Sequence, residues 1–442
     1  MRAKKEALTK YKSRSPAAVQ AIDNTQPDTA PPLSRALTLL FSVICALAVA
    51  NVYFAQPLLQ SIALSLDVKP GLIGIVVTAT QVGYGLGLFF IVPLGDLVNR
   101  KTLIITQVLL SAAALTVVAC AQHWSLLLAA MTLVGLMAVV VQVVVAYAAA
   151  LATPSQRGQA VGTVTSGVVL GILLARFTSG VIADLAGWRA VYYVSAGLML
   201  AMAAVLYKTV PRVGLPALQS SYRQLLLSVV QLLRTDPTLR LRGVFAMLIF
   251  AAFSVLWTSM VLPLSAPPLS LSHTQIGLFG LAGLAGALAA SRAGRWADRG
   301  LGQRVTGISL ALLAFSWLPT AFAQTSLIAL IIGVVILDFA VQAVHVTNQS
   351  LIFAARPDAQ SRLVGAYMCF YSLGSALGAA TATQVYSLWG WYAVCGLGAS
   401  ISVAAWLVWW LQELHEGKKR ARGVPGFSRT GVSDYPAGNV GR

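Results

Sequence analysis

Charge is what this chain has least of. Only 10% of its 442 residues are Asp, Glu, Lys or Arg, and acid is the scarcer sign, 13 residues against 31 basic ones. With 57% hydrophobic residues and a mean hydropathy of +0.77, a soluble globular fold is excluded. Cysteine is scarce too: Cys45, Cys120, Cys369 and Cys395 lie inside apolar segments at irregular spacing, with no CxxC pair and no nearby histidine cluster. That supports neither a disulfide framework nor a zinc site. The chain also lacks a GxxxxGKS/T phosphate loop, an HExxH pair and a GxSxG elbow. No catalytic residue, metal or cofactor is expected, and no soluble domain is present to hydrolyse ATP.

Long apolar runs are what the chain does have. Residues 1–34 are polar and basic and read as a disordered cytoplasmic tail. Runs long enough to cross about 30 Å at about 1.5 Å per residue then fall at 36–59, 71–95, 102–120, 125–151, 158–183 and 188–207. A basic connector, 208–240, carries Pro211, Pro216 and Pro237 around a Leu-rich middle, Tyr222 to Leu233, that suits an amphipathic helix on a membrane surface. Six more runs follow at 241–263, 274–292, 304–323, 326–353, 362–386 and 391–412, before a second basic tail at 413–442. The first run continues far beyond a signal-peptide core, without a convincing cleavage site, and reads as an uncleaved span. The expected fold is an all-α polytopic membrane protein of 12 transmembrane helices in two pseudo-symmetric bundles, 35–207 and 241–412.

An even number of spans puts both tails on one side. Of the 31 basic residues, Lys69 and Arg189 fall in the opposite loops and Arg176 inside a span, which leaves 28 on the side of the tails. That asymmetry places both termini in the cytoplasm of a bacterial inner membrane, and it explains the net charge of +18 without nucleic acid.

The halves repeat. Gly187-Trp188-Arg189-Ala190-Val191 is echoed by Gly390-Trp391-Tyr392-Ala393-Val394 at an offset of 203, which Ile73-Gly74 and Ile276-Gly277 share. The loop after the second span of each half runs from Gly95, through Asp96 and Asn99, to Arg100, and from Gly294, through Asp298, to Arg299. This Gly-x-x-x-Asp-Arg pattern, in a six-plus-six architecture with a central connector, resembles the major facilitator superfamily. The stretches Asn51 to Leu59, Gly171 to Arg176 and His345 to Gln349 are similar to its bacterial drug-efflux-like branch, the arabinose efflux permeases. The resemblance covers 35–412 and implies paired halves around a midplane binding site. It also implies a tail-side gate built from Gly95, Asp96, Asn99, Arg100, Gly294, Asp298 and Arg299. Three departures stand out. Asn99 replaces the usual Asp, Trp296 occupies an aliphatic position, and Met131 stands where many antiporters of the family carry a span-four Arg.

Against this apolar background, one stretch is conspicuous. Asp338, Gln342, His345 and Gln349 recur at spacings that keep them within roughly 60° of one face of the tenth span. Asp338 falls roughly 18 Å from the outer end of that span, near the midplane, where an ionised carboxylate is costly. It is a candidate for proton coupling, with His345 as a relay and Arg176 as the third ionisable group. A purely structural network of Asp338 with Gln342 and His345 is the alternative. Arg176 is expected either to hold an anion or pair with Asp338, or else to reach outward towards Asp184. Tyr53, Gln56, Gln81, Tyr84, Gln142, Phe253, Trp257, Gln342, Gln349, Tyr367 and Tyr371 are candidates to line the cavity. The expected activity is proton-coupled efflux of a small amphipathic compound by a monomer in the lipid bilayer. A proton symporter for a sugar or organic acid is the first alternative, and a non-transporting receptor or scaffold the second.

Overall fold

The computed structural model describes residues 34–153, 156–211, 221–355 and 360–421. Most of the two expected tails and part of the connector lie outside these residues. The described chain is all helix and turn, with no strand. Among the described residues, ten helices are long and apolar enough to cross a membrane. The last of them, Leu363–His415, breaks at Gly390 into two arms, and His273–Trp296 adds another long helix, which brings the spans to twelve.

Spans 1 to 6 are Arg35–Ser65, Pro70–Asp96, Arg100–Cys120, Trp124–Leu151, Arg157–Ala186 and Trp188–Thr209. Spans 7 to 10 are Pro237–Ser265, His273–Trp296, Arg299–Thr320 and Leu327–Ala355. Spans 11 and 12 are the two arms, 360–389 and 391–421. Span 12 thus runs past the expected end at 412.

Local chemistry sets the boundaries. The Ser34 hydroxyl accepts from the Leu37 amide at 3.2 Å to open span 1, and the Asp236 carboxylate accepts from the Leu239 amide at 2.9 Å to open span 7, with Pro237 supplying the first helical residue. Gln56–Leu58 tightens into a 3-10 turn at Pro57, after which span 1 resumes. Gly187 and Gly390 have φ of 82° and 76°, open only to glycine, and each turns the chain into a following Trp. The duplicated Gly-Trp is therefore a duplicated turn.

The connector forms the amphipathic helix Tyr222–Thr235, which packs on the end of the bundle. Its apolar residues Val229 and Leu232 are buried against Leu239, Ala246, Ile352 and Leu363, because those side chains present an apolar floor at the end of spans 7, 10 and 11. The Tyr222 hydroxyl donates to the Phe90 carbonyl at 2.7 Å, so the helix touches the first six spans as well.

We call the end of the bundle that carries the connector the tail side. At the opposite, far side, the first six spans interlock with the last six. Asp184 of span 5 accepts from the His273 amide at 3.1 Å and the Thr274 amide at 2.8 Å, and lies 2.7 Å from His273 Nδ1. His273 Nε2 is 2.6 Å from the Ser61 hydroxyl of span 1. Between spans 2 and 11, Thr383 donates to the Gly71 carbonyl at 2.9 Å, Thr78 to the Ala376 carbonyl at 3.0 Å, and Ser372 to the Gln81 carbonyl. Spans 5 and 8 touch backbone to backbone: a Cβ at Gly180 would strike the His273 carbonyl, and one at Gly277 the Arg176 carbonyl.

Candidate functional site

Arg176 is drawn inward from span 5, with 2% of its surface exposed. Its Nε donates to Gln56 Oε1 of span 1 at 2.7 Å. Its guanidinium carbon lies 3.8 Å from the centre of the Trp257 ring, 5.1 Å from that of Tyr53 and 5.6 Å from that of Phe253. Desolvated cation–π contacts of this kind contribute about 2 kcal/mol. Arg176 therefore does not reach outward to Asp184, whose carboxylate is engaged by His273 and Thr274. One guanidinium nitrogen, Nη2, is buried with no hydrogen-bond partner.

Asp338, 5% exposed, meets the edge of the same indole: Trp257 Nε1 donates to its Oδ1 at 3.1 Å. Gly283 of span 8 makes room for the second carboxylate oxygen, which a Cβ there would strike. No direct ion pair joins Arg176 to Asp338 among the described residues. Beside Arg176 and Trp257 lies a cavity of about 10 Å³, lined also by Gln56, Pro57, Met260, Val261 and Ile276. It has room for about one water molecule.

Towards the middle, the Tyr53 and Tyr371 hydroxyls meet at 2.5 Å, so spans 1 and 11 share a hydrogen bond across the halves. Tyr84 packs edge-on to Tyr371 with centroids 6.2 Å apart and accepts from Gln142 Nε2 at 3.4 Å. The Gln81 side-chain oxygen is buried without a partner. Phe250, which sequence reasoning missed, lies 4.1 Å from Tyr371 and 5.2 Å from His345, centroid to centroid.

His345 belongs to a separate cluster near the tail side. Its Nδ1 is 3.0 Å from the Tyr367 hydroxyl and its Nε2 is 3.4 Å from Gln349 Nε2. Asn348 donates to the same Tyr367 hydroxyl at 3.4 Å and to the Arg242 carbonyl at 3.3 Å. The polar stripe of span 10 is therefore split. Asp338 bonds to span 7 and His345 to span 11, so among the described residues no hydrogen bond joins Asp338 to Gln342 or His345, the structural network given as the alternative, and Gln342 is half-buried between them.

At the tail-side loop between spans 2 and 3, Arg100 donates to Asp96 Oδ1 at 3.1 Å and to the Gly95 carbonyl at 2.9 Å. Asn99 caps span 3, accepting from the Lys101 amide at 3.0 Å and the Thr102 amide at 3.4 Å. It keeps the capping role of an Asp without its charge. Arg299 is exposed; Gly294 and Asp298 lie outside the residues whose side chains are described.

The Major Facilitator Superfamily model matches residues 39–299 and, in a second match, 244–436. This chain belongs to the major facilitator superfamily. It is similar to YgaY of Escherichia coli (strain K12), described as an uncharacterized transporter, with 46% identity over 382 residues, 86% of this chain and 96% of that one. It is also similar to the inner membrane transport protein YnfM of Escherichia coli (strain K12), with 26% identity over 270 residues, 61% of this chain and 64% of that one. Among solved structures, a bacterial homologue of the human lysosomal transporter Spinster, inward-facing and occupied, superposes with a TM-score of 0.69 at 15% identity, covering 85% of this chain and 96% of that one. The chain is a multi-pass membrane transporter of this superfamily and not an enzyme, and members of the superfamily bind small-molecule substrates within the membrane.

In this superfamily member a second buried group, besides Phe250, escaped the sequence reading. Arg242 was counted as a loop charge, yet it is 3% exposed, with Nη1 3.4 Å from Thr306 Oγ1 and 3.5 Å from Asn348 Oδ1. The signal was present: Leu239, Arg242, Ala246 and Ile249 follow helical spacing and all four are buried.

Proposed function

We propose that this transporter moves a small amphipathic organic anion together with a proton, with Arg176 holding the anion and Asp338 the proton. The observation that carries this reading is the buried, unpartnered Nη2 of Arg176 beside a cavity. A buried charge without an ionic partner costs several kcal/mol, and an entering carboxylate relieves that cost. Tyr53, Phe253 and Trp257 around the guanidinium suit an apolar or aromatic body on the same molecule. An anion at Arg176 repels an ionised Asp338 held by the same indole, so anion and proton each favour the binding of the other. Ligands that favour each other travel in the same direction.

In this reading the two six-helix halves, 35–207 and 241–412, rock about the midplane in a bacterial inner membrane. The tail side faces the cytoplasm, in keeping with the 28 basic residues there and with the inner-membrane relative YnfM. The far-side interlock around Asp184 and His273 is the closed outer gate. The Asp96–Arg100 pair, Asn99 and Arg299 belong to the inner latch, with Gly95, Gly294 and Asp298 shaping its loops. The monomer suffices, since each half supplies part of the site.

A second reading, proton-coupled efflux by exchange, is favoured by the aromatic lining that continues through Tyr84, Phe250 and Tyr371. Purified protein in liposomes containing a pH-sensitive dye separates the two. Organic acids that acidify the lumen as they enter support cotransport, whereas an amphipathic amine or neutral compound that drives protons the opposite way supports exchange.

A further inference from the structure

We propose that a cleft on the outer wall of spans 8, 9 and 10 binds an anionic phospholipid of the tail-side leaflet. The cleft has a volume of about 310 Å³, within the range of small-molecule sites, and its lining includes Trp296, Arg304, Ile308, Ser309, Leu312 and Phe339. It is separate from the transport site. Phe339 follows Asp338 directly and is turned about 100° from it around span 10, and Ile308 and Trp296 on its rim are 64% and 44% exposed on the perimeter of the bundle.

Polarity along the cleft is graded. Trp296 closes span 8 and Arg304 lies in the first turn of the α-helix Gly302–Thr320 of span 9, so an indole and a guanidinium mark the tail-side rim, the level at which aromatic and basic side chains meet lipid headgroups. Ile308 and Leu312 follow Arg304 at spacings of one and two helical turns, roughly 6 and 12 Å deeper, and Phe339 walls the same space. The matching ligand has an anionic head at the surface and an alkyl chain running inward, and it enters sideways from the bilayer. Charge complementarity selects an anionic over a zwitterionic head, because Arg304 is exposed at the tail-side end of its helix and Arg295 and Arg299, exposed as well, lie close before it in the chain. The cleft also gives a use to Trp296, the departure from the repeated loop pattern that transport leaves unexplained.

The test uses full-length protein in nanodiscs of equal phosphatidylglycerol and phosphatidylethanolamine, with lipid retained after detergent washing counted by native mass spectrometry. Wild type is expected to retain phosphatidylglycerol in preference. Arg304→Gln should lower that preference about fivefold, the effect of one basic residue at the membrane surface. Ser309→Trp, which fills the cleft, should remove it, and Arg295→Gln should lower it less than Arg304→Gln does. Equal retention of the two lipids by wild type, or an unchanged preference in Arg304→Gln, overturns the proposal, whether or not Ser309→Trp folds.

Discussion

Arg176 and Asp338, opposite charges buried in opposite halves of the chain, meet through one indole: the guanidinium lies 3.8 Å from the centre of the Trp257 ring, and the indole N–H donates to the carboxylate at 3.1 Å. A direct ion pair would satisfy both groups and leave neither available. The indole holds both groups, one on its face and one at its edge, without joining them in an ion pair, which is the arrangement that the proposed anion and proton sites require.

Replacing Arg176 tests the anion side. Arg176→Gln removes a charge-assisted bond that contributes about 1.5–3 kcal/mol, so the apparent affinity for an organic anion should fall roughly 10- to 150-fold. Arg176→Lys keeps the charge but loses the planar stack on Trp257 and should lie between the two. Equilibrium binding of a radiolabelled acid to purified protein measures both.

Trp257→Phe retains an aromatic face for Arg176 and removes the donor to Asp338. Anion binding should survive within about threefold, since a phenyl face is only modestly weaker than an indole. The number of protons moved per anion should change. An unchanged proton-to-anion ratio would mean that the indole N–H has no part in coupling.

Gly283→Ala places a methyl group against the Asp338 carboxylate. Overpacking of this kind costs about 1–3 kcal/mol and forces the acid to shift. Proton coupling should weaken, while Arg176-dependent anion binding remains. Loss of both together, with the thermal midpoint unchanged, would argue against separate sites.

Asp184→Asn weakens the far-side interlock, because the carboxylate serves two amides and the His273 ring. A cysteine introduced at Ile276, which lines the closed cavity, should then react with an impermeant thiol reagent from the far side roughly tenfold faster, the equivalent of about 1.4 kcal/mol. An unchanged rate would remove Asp184 from the gate.

Much of this molecule was legible in the sequence because membrane insertion is governed by local properties. The length of an apolar run sets a span, and the duplicated Gly187-Trp188 and Gly390-Trp391 mark the same turn twice. The site was harder to read. Asp338, His345 and Arg176 could be singled out as ionisable groups in apolar surroundings, but their partners are distant in the chain: Gln56 is 120 residues from Arg176, and Trp257 is 81 from Asp338. Sharing a helix face made Asp338 and His345 look like one network. Which neighbouring helix each one meets is a tertiary fact, and spans 7 and 11 draw them apart. Arg242 was hidden for the opposite reason, since a basic residue near a span end is normally a topological signal, and only its place on a buried stripe marks it as structural.

At the centre of the proposed mechanism, Asp338 is the proton site and Arg176 an independent anion site. The direct measurement is organic-anion flux and lumenal pH recorded together in liposomes containing wild type or Asp338→Asn. The mutant is expected to bind the anion and exchange it across the membrane while moving no protons. Anion-driven acidification that persists at the wild-type level in Asp338→Asn would contradict the account.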